Sequence, residues 1–321
     1  MDYGPFGFMD EVRTDCICHV NPCISCLSLT QVYMGLQYHP LFAKWTGSGE
    51  HFGFLNQPDA GFANFAMLVS SIMPIVEAYS SSMEEAQKYQ DEIMERGQEV
   101  FDEKLSEALR SKLGFHPSDE SADELWSELE VLLRENKTDW TVFWRQLTAV
   151  VKEFPVHGDK PASTSYGDMF DVLYANDEVK EGSCPFYGPL DDEARRKMMD
   201  WIQSWREMLV ESYKEIGPSM KLSEDGGNFI APEERMRMSN PKYVLREWML
   251  VEAYSKASPS SIQSRTFPVS IKSEQGDESM IHELFELIKN PYDEGTDEQD
   301  EKYYKRAHDD ALTAGGTAFM S

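Results

Sequence analysis

The first residues of the chain could bind a metal ion: Asp2, Tyr3 and Gly4 follow the initial methionine. In phosphoryl-transfer enzymes, an Asp followed by an aromatic residue and a Gly holds a Mg²⁺ that bridges the phosphates of a nucleotide. The Gly lets the backbone turn sharply just after the metal ligand. A tripeptide this short is also common in polar loops, so the pattern alone leaves both interpretations open.

A second group of potential metal ligands follows closely, in the pattern C-x-C-H-x₃-C-x₂-C. It consists of Cys16, Cys18, Cys23 and Cys26, with His19 directly after the second cysteine. Thiolates and an imidazole can hold zinc tetrahedrally. However, structural zinc sites usually draw their ligands from two separated knuckles, and these five residues are all close together. Disulfides in an oxidising compartment are an alternative, and extra sequence without any site is a third.

The longer stretch DYGPFGFMD, residues 2–10, closely resembles the metal-site segment of the selenoprotein O family, also called SelO or YdiU. Four more stretches resemble the family in the same order: FGFLNQPDAGFANFAML (52–68), TDWTVFWRQL (138–147), NPKYVLREW (240–248) and ELFELIKNPYDE (283–294). The resemblance implies a protein-kinase-like fold that transfers AMP from ATP onto hydroxyl side chains of proteins. It also implies Mg²⁺ or Mn²⁺ as the metal, with Asp2 as a ligand.

The resemblance places further catalytic segments before Asp2. Family members carry a Gly-rich loop, a Lys, a Glu and an Asp-Asn pair there, whereas Met1 alone precedes Asp2 in this chain. We therefore expect the C-terminal half of such an enzyme, without its N-lobe and without catalytic residues other than the metal ligand. On this expectation the chain alone does not transfer AMP. Family members also end in a Ser-rich tail with a Cys or selenocysteine, and this chain stops at Ser321, where that residue would follow.

The same resemblance divides the chain into two regions. Residues 1–58 would form the metal loop and activation segment, with an insertion at 20–42. Residues 59–321 would form a helical C-terminal region, with a Ser-rich insertion at 257–276. Cys18 falls where the family has its activation-loop cysteine, so it is a candidate redox residue for a regulatory disulfide. The family would place the protein in mitochondria if its source is eukaryotic, and no targeting segment is visible.

Apolar residues recur at three- and four-residue spacings after residue 58, which predicts amphipathic helices. The predicted helical stretches are 62–76, 83–113, 125–133, 140–151, 169–174, 189–217, 236–253 and 278–289. Asn240-Pro241 is a suitable helix start, and residues 218–235 and 294–305 are predicted to be a loop and a solvated charged segment. The aromatic residues of 140–151 are expected in the core. For Arg246, an ion pair is favoured over a phosphate contact.

The charge of the chain limits its partners. It carries 57 acidic and 30 basic residues, a net charge of −27. Nucleic acid and anionic membranes both demand positive charge, so neither is expected as a partner. No uninterrupted run of 18 apolar residues suggests a membrane span. The predicted fold is mainly α, the helical C-lobe of a protein-kinase-like fold with a C-terminal helical extension. Its expected partners are ATP and proteins with accessible hydroxyls; the alternative function is a non-catalytic acidic interaction module, stabilised by zinc at the cysteine cluster.

Overall fold

The computed structural model describes residues 57–156, 165–174, 182–220, 230–257 and 276–306. Within these ranges the protein is helical and contains no strand, only one antiparallel bridge between Thr138 and Phe186. Their α-helices are α1 Gln57–Tyr79, α2 Met83–Lys112, α3 Asp123–Glu135, α4 Trp140–Glu153, α5 Tyr166–Tyr174, α6 Asp192–Met220, α7 Pro232–Ser239, α8 Glu247–Ala257, α9 Ser279–Lys289 and α10 Asp297–Tyr303. The prediction of a mainly α protein is therefore confirmed for the described residues. The kinase-like lobe and the division into regions stay predictions.

Helices α1 and α2 form a hairpin across a short serine-rich turn. Ser82 caps α2, because its hydroxyl accepts a hydrogen bond from the Glu85 amide at 3.2 Å. The two helices approach closely at Gly97, where a Cβ atom would lie 2.3 Å from Cε1 of Phe65. A glycine is therefore required at this contact unless the phenyl ring moves.

The inner face of α1 is only partly as predicted. Val69 and Met73 are buried against α2, but Ile72, an apolar residue of the same predicted amphipathic stretch 62–76, is 40 % exposed. A stripe of i, i+3 and i+4 positions is wider than the surface that a single neighbouring helix can cover. One partner helix therefore leaves the edge of this stripe uncovered.

The main core lies between the C-terminal end of α2 and α6. Trp140, Phe143 and Trp144 are buried there, which confirms that the aromatic residues of α4 are core residues. Two buried indoles of α6 also anchor the chain around them. Trp201 donates to the Leu125 carbonyl at 3.0 Å and Trp205 to the Leu113 carbonyl at 2.9 Å. Each indole therefore buries its ring without losing the hydrogen bond of its N–H group.

A second, smaller core joins the last three helices to the segment before α8. Its buried residues are Tyr243, Met249, Ala253, Met280, Leu284, Leu287, Tyr303 and Tyr304. The prediction that residues 294–305 are solvated is correct for residues 294–298, which are exposed, but wrong for Tyr303 and Tyr304, which are buried in this core. The charged residues of α10 surround two tyrosines that lie in the core.

The predicted helix over 236–253 was also wrong. Helix α7 ends at Ser239, residues 240–246 are not helical, and α8 begins only at Glu247. Asn240 is extended, with φ −121° and ψ 96°, as the ring of a following proline demands. The amides of Lys242 and Tyr243 donate instead to the Pro291 carbonyl, at 2.7 and 3.2 Å.

Two further boundaries differ from the predictions. The stretch 218–235, predicted to be a loop, contains the first half of α7, which begins with Pro232 in its first turn. Helix α6 continues through Gly217 and Pro218 to Met220. Beyond the first turn of a helix a proline removes one intrahelical hydrogen bond and clashes with the carbonyl four residues before it, so Pro218 weakens this end of α6, which stops two residues later.

By length and composition alone, one described helix could cross a membrane. It is the part of α1 over Gly61–Tyr79. No single run of apolar residues in it is long, but serines and alanines alternate with large apolar residues and it holds few charges. The expectation that no membrane is a partner stays a prediction.

Candidate functional site

A buried ion pair connects α4 with the segment that precedes α8. Asp139 is the N-cap of α4, and its Oδ1 accepts a hydrogen bond from the Val142 amide at 3.0 Å. Its two oxygens also accept hydrogen bonds from the two terminal nitrogens of Arg246, at 2.5 and 2.8 Å. Asp139 is 3 % exposed and Arg246 9 %. The geometry is a bidentate, charge-assisted pair, the strongest form of carboxylate–guanidinium contact.

Tyr187 completes the surroundings of this pair. Its hydroxyl donates to Oδ2 of Asp139 at 3.3 Å, and its ring lies under the Arg306 guanidinium. Burial, followed by the nearby Asp139 charge, raises the pKa of Tyr187 far above its ordinary value. The phenol therefore stays protonated and acts as a hydrogen-bond donor, not as a base.

For Arg246, burial alone would lower the pKa. The charge and hydrogen bonds of Asp139 outweigh burial, and the pKa of the guanidinium is raised. The guanidinium therefore stays charged beside Asp139 although it is almost fully buried.

A second group of charges lies at the other end of the same surface of α4. Arg145 donates to the Arg237 and Asn240 carbonyls, at 3.2 and 3.1 Å, and to Oε1 of Glu294 at 2.6 Å. Lys242 donates to the backbone carbonyl of Glu294 at 2.5 Å. These contacts hold the turn that precedes α10 against the C-terminal end of α7.

Asp300 of α10 joins this group from the opposite side. Its carboxylate accepts hydrogen bonds from the Lys242 ammonium at 2.9 Å and from the Tyr243 hydroxyl at 2.5 Å. Burial, with the hydrogen bond to Asp300, raises the pKa of Tyr243 well above its ordinary value. For Glu294, burial alone would raise the pKa, but the charges of Arg145 and Lys242 lower it. Both shifts favour the protonation states that the hydrogen bonds require.

We call these six charged residues the ionic cluster: Asp139, Arg145, Lys242, Arg246, Glu294 and Asp300. It contains three cations and three carboxylates, and each one contacts an opposite charge within the cluster. A balanced and mutually paired set has little capacity to bind a phosphate or to activate a nucleophile. Its chemistry is that of a structural clamp between segments far apart in sequence.

Lys112 extends the clamp to the end of α2. Its ammonium donates to the Ser239 carbonyl at 3.0 Å and to Oδ1 of Asn240 at 3.3 Å, and it lies 5.6 Å from the ring centre of Trp144. Asn240 returns a hydrogen bond to the Lys112 carbonyl at 3.1 Å. The turn after α7 is thus held by both α2 and α4.

The metal and redox residues predicted from the sequence lie outside the described residues. They are Asp2, Cys16, Cys18, Cys23 and Cys26. In the ranges that the structure does describe, no group of three or more His, Cys, Asp or Glu side chains is placed to hold a metal ion. The remaining cysteine, Cys184, is buried.

Three of the five stretches that carried the family resemblance meet at the ionic cluster. The TDWTVFWRQL stretch supplies Asp139 and Arg145, NPKYVLREW supplies Lys242 and Arg246, and the last stretch supplies Glu294. The preference for an ion pair at Arg246 is confirmed. Pattern reasoning missed the other cluster residues, because charged side chains at helix ends normally face water. The signal that could have found them is their position inside those stretches.

The family model described as protein adenylyltransferase SelO matches residues 36–289. Curated proteins called protein nucleotidyltransferase YdiU match most of the chain at low identity. The relative from Vibrio vulnificus strain YJ016 is 25 % identical over 91 % of this chain, and the one from Rhodopirellula baltica is 24 % identical over 92 %. The relative from Flavobacterium johnsoniae is 22 % identical over the whole chain.

The described part of the chain is helical and is held together by a largely buried ionic clamp, and the chain belongs to the protein adenylyltransferase SelO family. It spans 42 % of the length of the first two relatives and 46 % of the third. The family match begins at residue 36, so it does not include Asp2 or the cysteine cluster.

Proposed function

We propose that the chain is the C-terminal part of a protein adenylyltransferase, which transfers AMP from ATP to Ser, Thr or Tyr hydroxyls of proteins. The match of the SelO family model to residues 36–289 carries this proposal. In the reaction, the acceptor hydroxyl oxygen bonds to the α-phosphorus and the bond to the bridging oxygen breaks. Pyrophosphate leaves, and the hydroxyl proton passes to a base.

In this proposal Asp2 holds the metal ion. Carboxylate oxygen is the ligand that Mg²⁺ and Mn²⁺ prefer, and Asp2 stands in a stretch that resembles the metal site of the family. When bound, the metal neutralises phosphate charge in the transition state.

The described helices then have a supporting role. The six charges of the ionic cluster are paired with one another and buried or half-buried. We infer that they stiffen the C-terminal region, and that nucleotide chemistry takes place elsewhere in the protein. On this basis, and because the chain spans less than half of its relatives, we propose that it does not transfer AMP alone.

The test compares the 321-residue chain with a longer protein. Sequencing the transcript and the genomic DNA on both sides of the coding region would define the longer reading frame. Both proteins would be incubated with Mg²⁺ or Mn²⁺, a generic protein acceptor, and ATP labelled at either the α- or the γ-phosphate. We expect transfer of the α-label by the longer protein only, and its loss in Asp2→Asn.

Each result has a distinct meaning. Transfer of the γ-label would identify a kinase and refute AMP transfer. Robust α-label transfer by the 321-residue chain would refute the proposal that it is inactive alone. If Asp2→Asn retained full activity in the longer protein, the metal-ligand assignment would be wrong.

The second candidate is a non-catalytic interaction module. The observation that favours it is the ionic cluster, because its charges are paired with one another and are therefore not available for catalysis. Metal-dependent ATP binding separates the two functions. A part of an active cleft should retain weak affinity for ATP with Mg²⁺, whereas an interaction module should bind none, and isothermal calorimetry would measure the difference.

A further inference from the structure

One face of α1 is apolar and exposed. Leu68, Ile72, Ile75 and Tyr79 follow one another at intervals of four, three and four residues, and we call them the α1 stripe. Their exposed fractions are 59, 40, 62 and 90 %. Met67, beside the stripe, is 70 % exposed. A contiguous apolar surface of this kind normally has a partner, because leaving it in water is unfavourable.

The α1 stripe is distinct from the face that packs on α2. Val69 and Met73 point toward α2 and are buried, at 2 and 7 % exposure. The exposed residues lie on the adjoining side of the same helix, since they are offset from the buried ones by one or two positions. A second element would therefore have to cover α1 from outside the hairpin.

Residues 16–43 have the composition that such an element requires. They include no Asp, Glu, Lys or Arg, in a chain whose charged residues make up 27 %. They contain twelve Ile, Leu, Val, Met, Phe or Tyr residues: Ile17, Val20, Ile24, Leu27, Leu29, Val32, Tyr33, Met34, Leu36, Tyr38, Leu41 and Phe42. An uncharged stretch can lie against an apolar helix without burying unpaired charge.

The stretch is also within reach of the whole stripe. Residues 44–56 connect it to the start of α1. These 13 residues span at most about 45 Å when extended. Helix α1 has 23 residues, so it is about 34 Å long. Covalent attachment next to α1 also raises the effective concentration of the stretch at the stripe.

We propose that residues 16–43 dock on the α1 stripe of the same molecule. The other occupants fit less well. A second copy would also carry a net charge of −27, and like charges of this size oppose self-association. A lipid bilayer would have to accept α2 together with α1, and α2 exposes Glu92, Glu95 and Glu99 among other charges.

The experiment uses the full chain and its own cysteines. The variant Ile75→Cys places a thiol in the α1 stripe, and the native thiols at Cys16, Cys18, Cys23 and Cys26 lie in the uncharged stretch. The fifth cysteine, Cys184, is buried and should react slowly. The matched control is Glu95→Cys, an exposed position on α2. A short bismaleimide would join neighbouring thiols, and peptide mass spectrometry would locate the links.

We expect links from the thiol introduced by Ile75→Cys to the 16–26 thiols within one molecule. Their yield should not depend on protein concentration, and it should exceed the yield from Glu95→Cys by at least about tenfold. Equal yields from the two positions would show a freely moving tether and would overturn the proposal. Links between molecules whose yield rises with concentration would overturn it too, because a second copy would then be the occupant.

A second measurement does not depend on cross-linking. In Ile75→Cys with residues 16–43 deleted, the new thiol should react with a monofunctional maleimide at least about fivefold faster than in the full-length variant. Circular dichroism would first verify that the deleted chain keeps its helices. An unchanged rate would overturn the proposal. Phosphatidylcholine vesicles provide a further test of the same two proteins. If they protected the thiol equally with and without residues 16–43, lipid would be the occupant of the α1 stripe and the proposal would be overturned.

Discussion

At the scale of residues, the Asp139–Arg246 pair has the largest predicted effect on stability. The carboxylate caps α4 and is bound by both guanidinium nitrogens, with almost no exposure of either residue. An ion pair in such a place contributes little compared with an apolar pair of the same shape. Removing one member, however, leaves a buried charge unpaired.

We therefore expect Arg246→Met to lower the free energy of unfolding by about 3–5 kcal/mol. Urea denaturation followed by circular dichroism would measure it. The control is Arg96→Met, which breaks an exposed pair with Glu99 on α2 and should have little effect. Comparable losses in both variants would mean that Asp139 finds another partner or water when Arg246 is absent.

Glu294 predicts a specific dependence of stability on pH. Its pKa is lowered in the folded protein from the ordinary 4.5, because the attraction of Arg145 and Lys242 outweighs the opposite effect of burial. A carboxylate with a lowered pKa stabilises the fold above the pKa of its unfolded state. That contribution is lost as the pH falls through the lower, folded pKa.

The stability difference between the native chain and Glu294→Gln should thus be present at neutral pH. We expect it to shrink below about pH 4.5. It should not exceed about 1 kcal/mol, because the side chain is half exposed to solvent. Urea denaturation over a pH series would measure it, with Glu128→Gln, an exposed residue of α3, as control. A difference that stays constant down to pH 3 would disprove this role of the charge.

At the scale of elements, the segment from Asn290 to α10 depends on one glycine. Gly295 has φ +70°, a conformation that L-residues rarely adopt. A Cβ atom there would lie 2.0 Å from the Tyr243 hydroxyl, which itself donates to the Glu294 carbonyl at 2.9 Å. Tight packing and positive φ thus coincide where the chain turns into the capping box of α10.

We expect Gly295→Ala to destabilise the protein by about 1–3 kcal/mol, from backbone strain together with displacement of Tyr243. Thermal denaturation would measure this change. Gly188→Ala serves as the matched control, since nothing lies within 4 Å of its Cβ position. If the two variants melted at the same temperature, the turn would have to relax without cost.

At the scale of the whole molecule, the end of the described chain stabilises its middle. Within residues 290–306, the Pro291 carbonyl, Glu294 and Asp300 all bind groups on the segment before α8, and Glu294 also binds Arg145 of α4. The Arg306 amide also donates to the Gly182 carbonyl at 2.9 Å, and its guanidinium donates to the Cys184 carbonyl. The second core is therefore completed by residues from the far end of the described chain.

Deleting residues 290–321 should consequently leave Arg145 and Lys242 without their carboxylate partners and expose the apolar faces of α8 and α9. We expect hydrogen exchange in both helices to become at least about tenfold faster, since their opening free energy falls by more than 1.4 kcal/mol. The matched variant lacks only residues 307–321 and keeps every contact described here. If hydrogen exchange in α8 and α9 were equally slow in the two deletion variants, residues 290–306 would not be what stabilises these helices.

Local chemistry was sufficient to predict much of this protein from its sequence. Helical periodicity identified α2, α4, α6 and α9, because burying one face of a helix imposes a repeat of three or four residues. The predicted end of α2 at residue 113 is directly followed by Gly114, whose positive φ of +92° favours glycine. The family resemblance rested on short stretches, and the match to residues 36–289 supports it.

The contacts between distant segments could not be derived in this way. Nothing local indicates that Asp139 meets Arg246, 107 residues later, or that the Pro291 carbonyl accepts hydrogen bonds from Lys242 and Tyr243. Residues 240–246 were expected to be helical because their own pattern allows a helix. They are not helical, because Pro241 restricts Asn240 and because the distant Pro291 carbonyl binds the amides of Lys242 and Tyr243. Such a competition is resolved only by the packed structure.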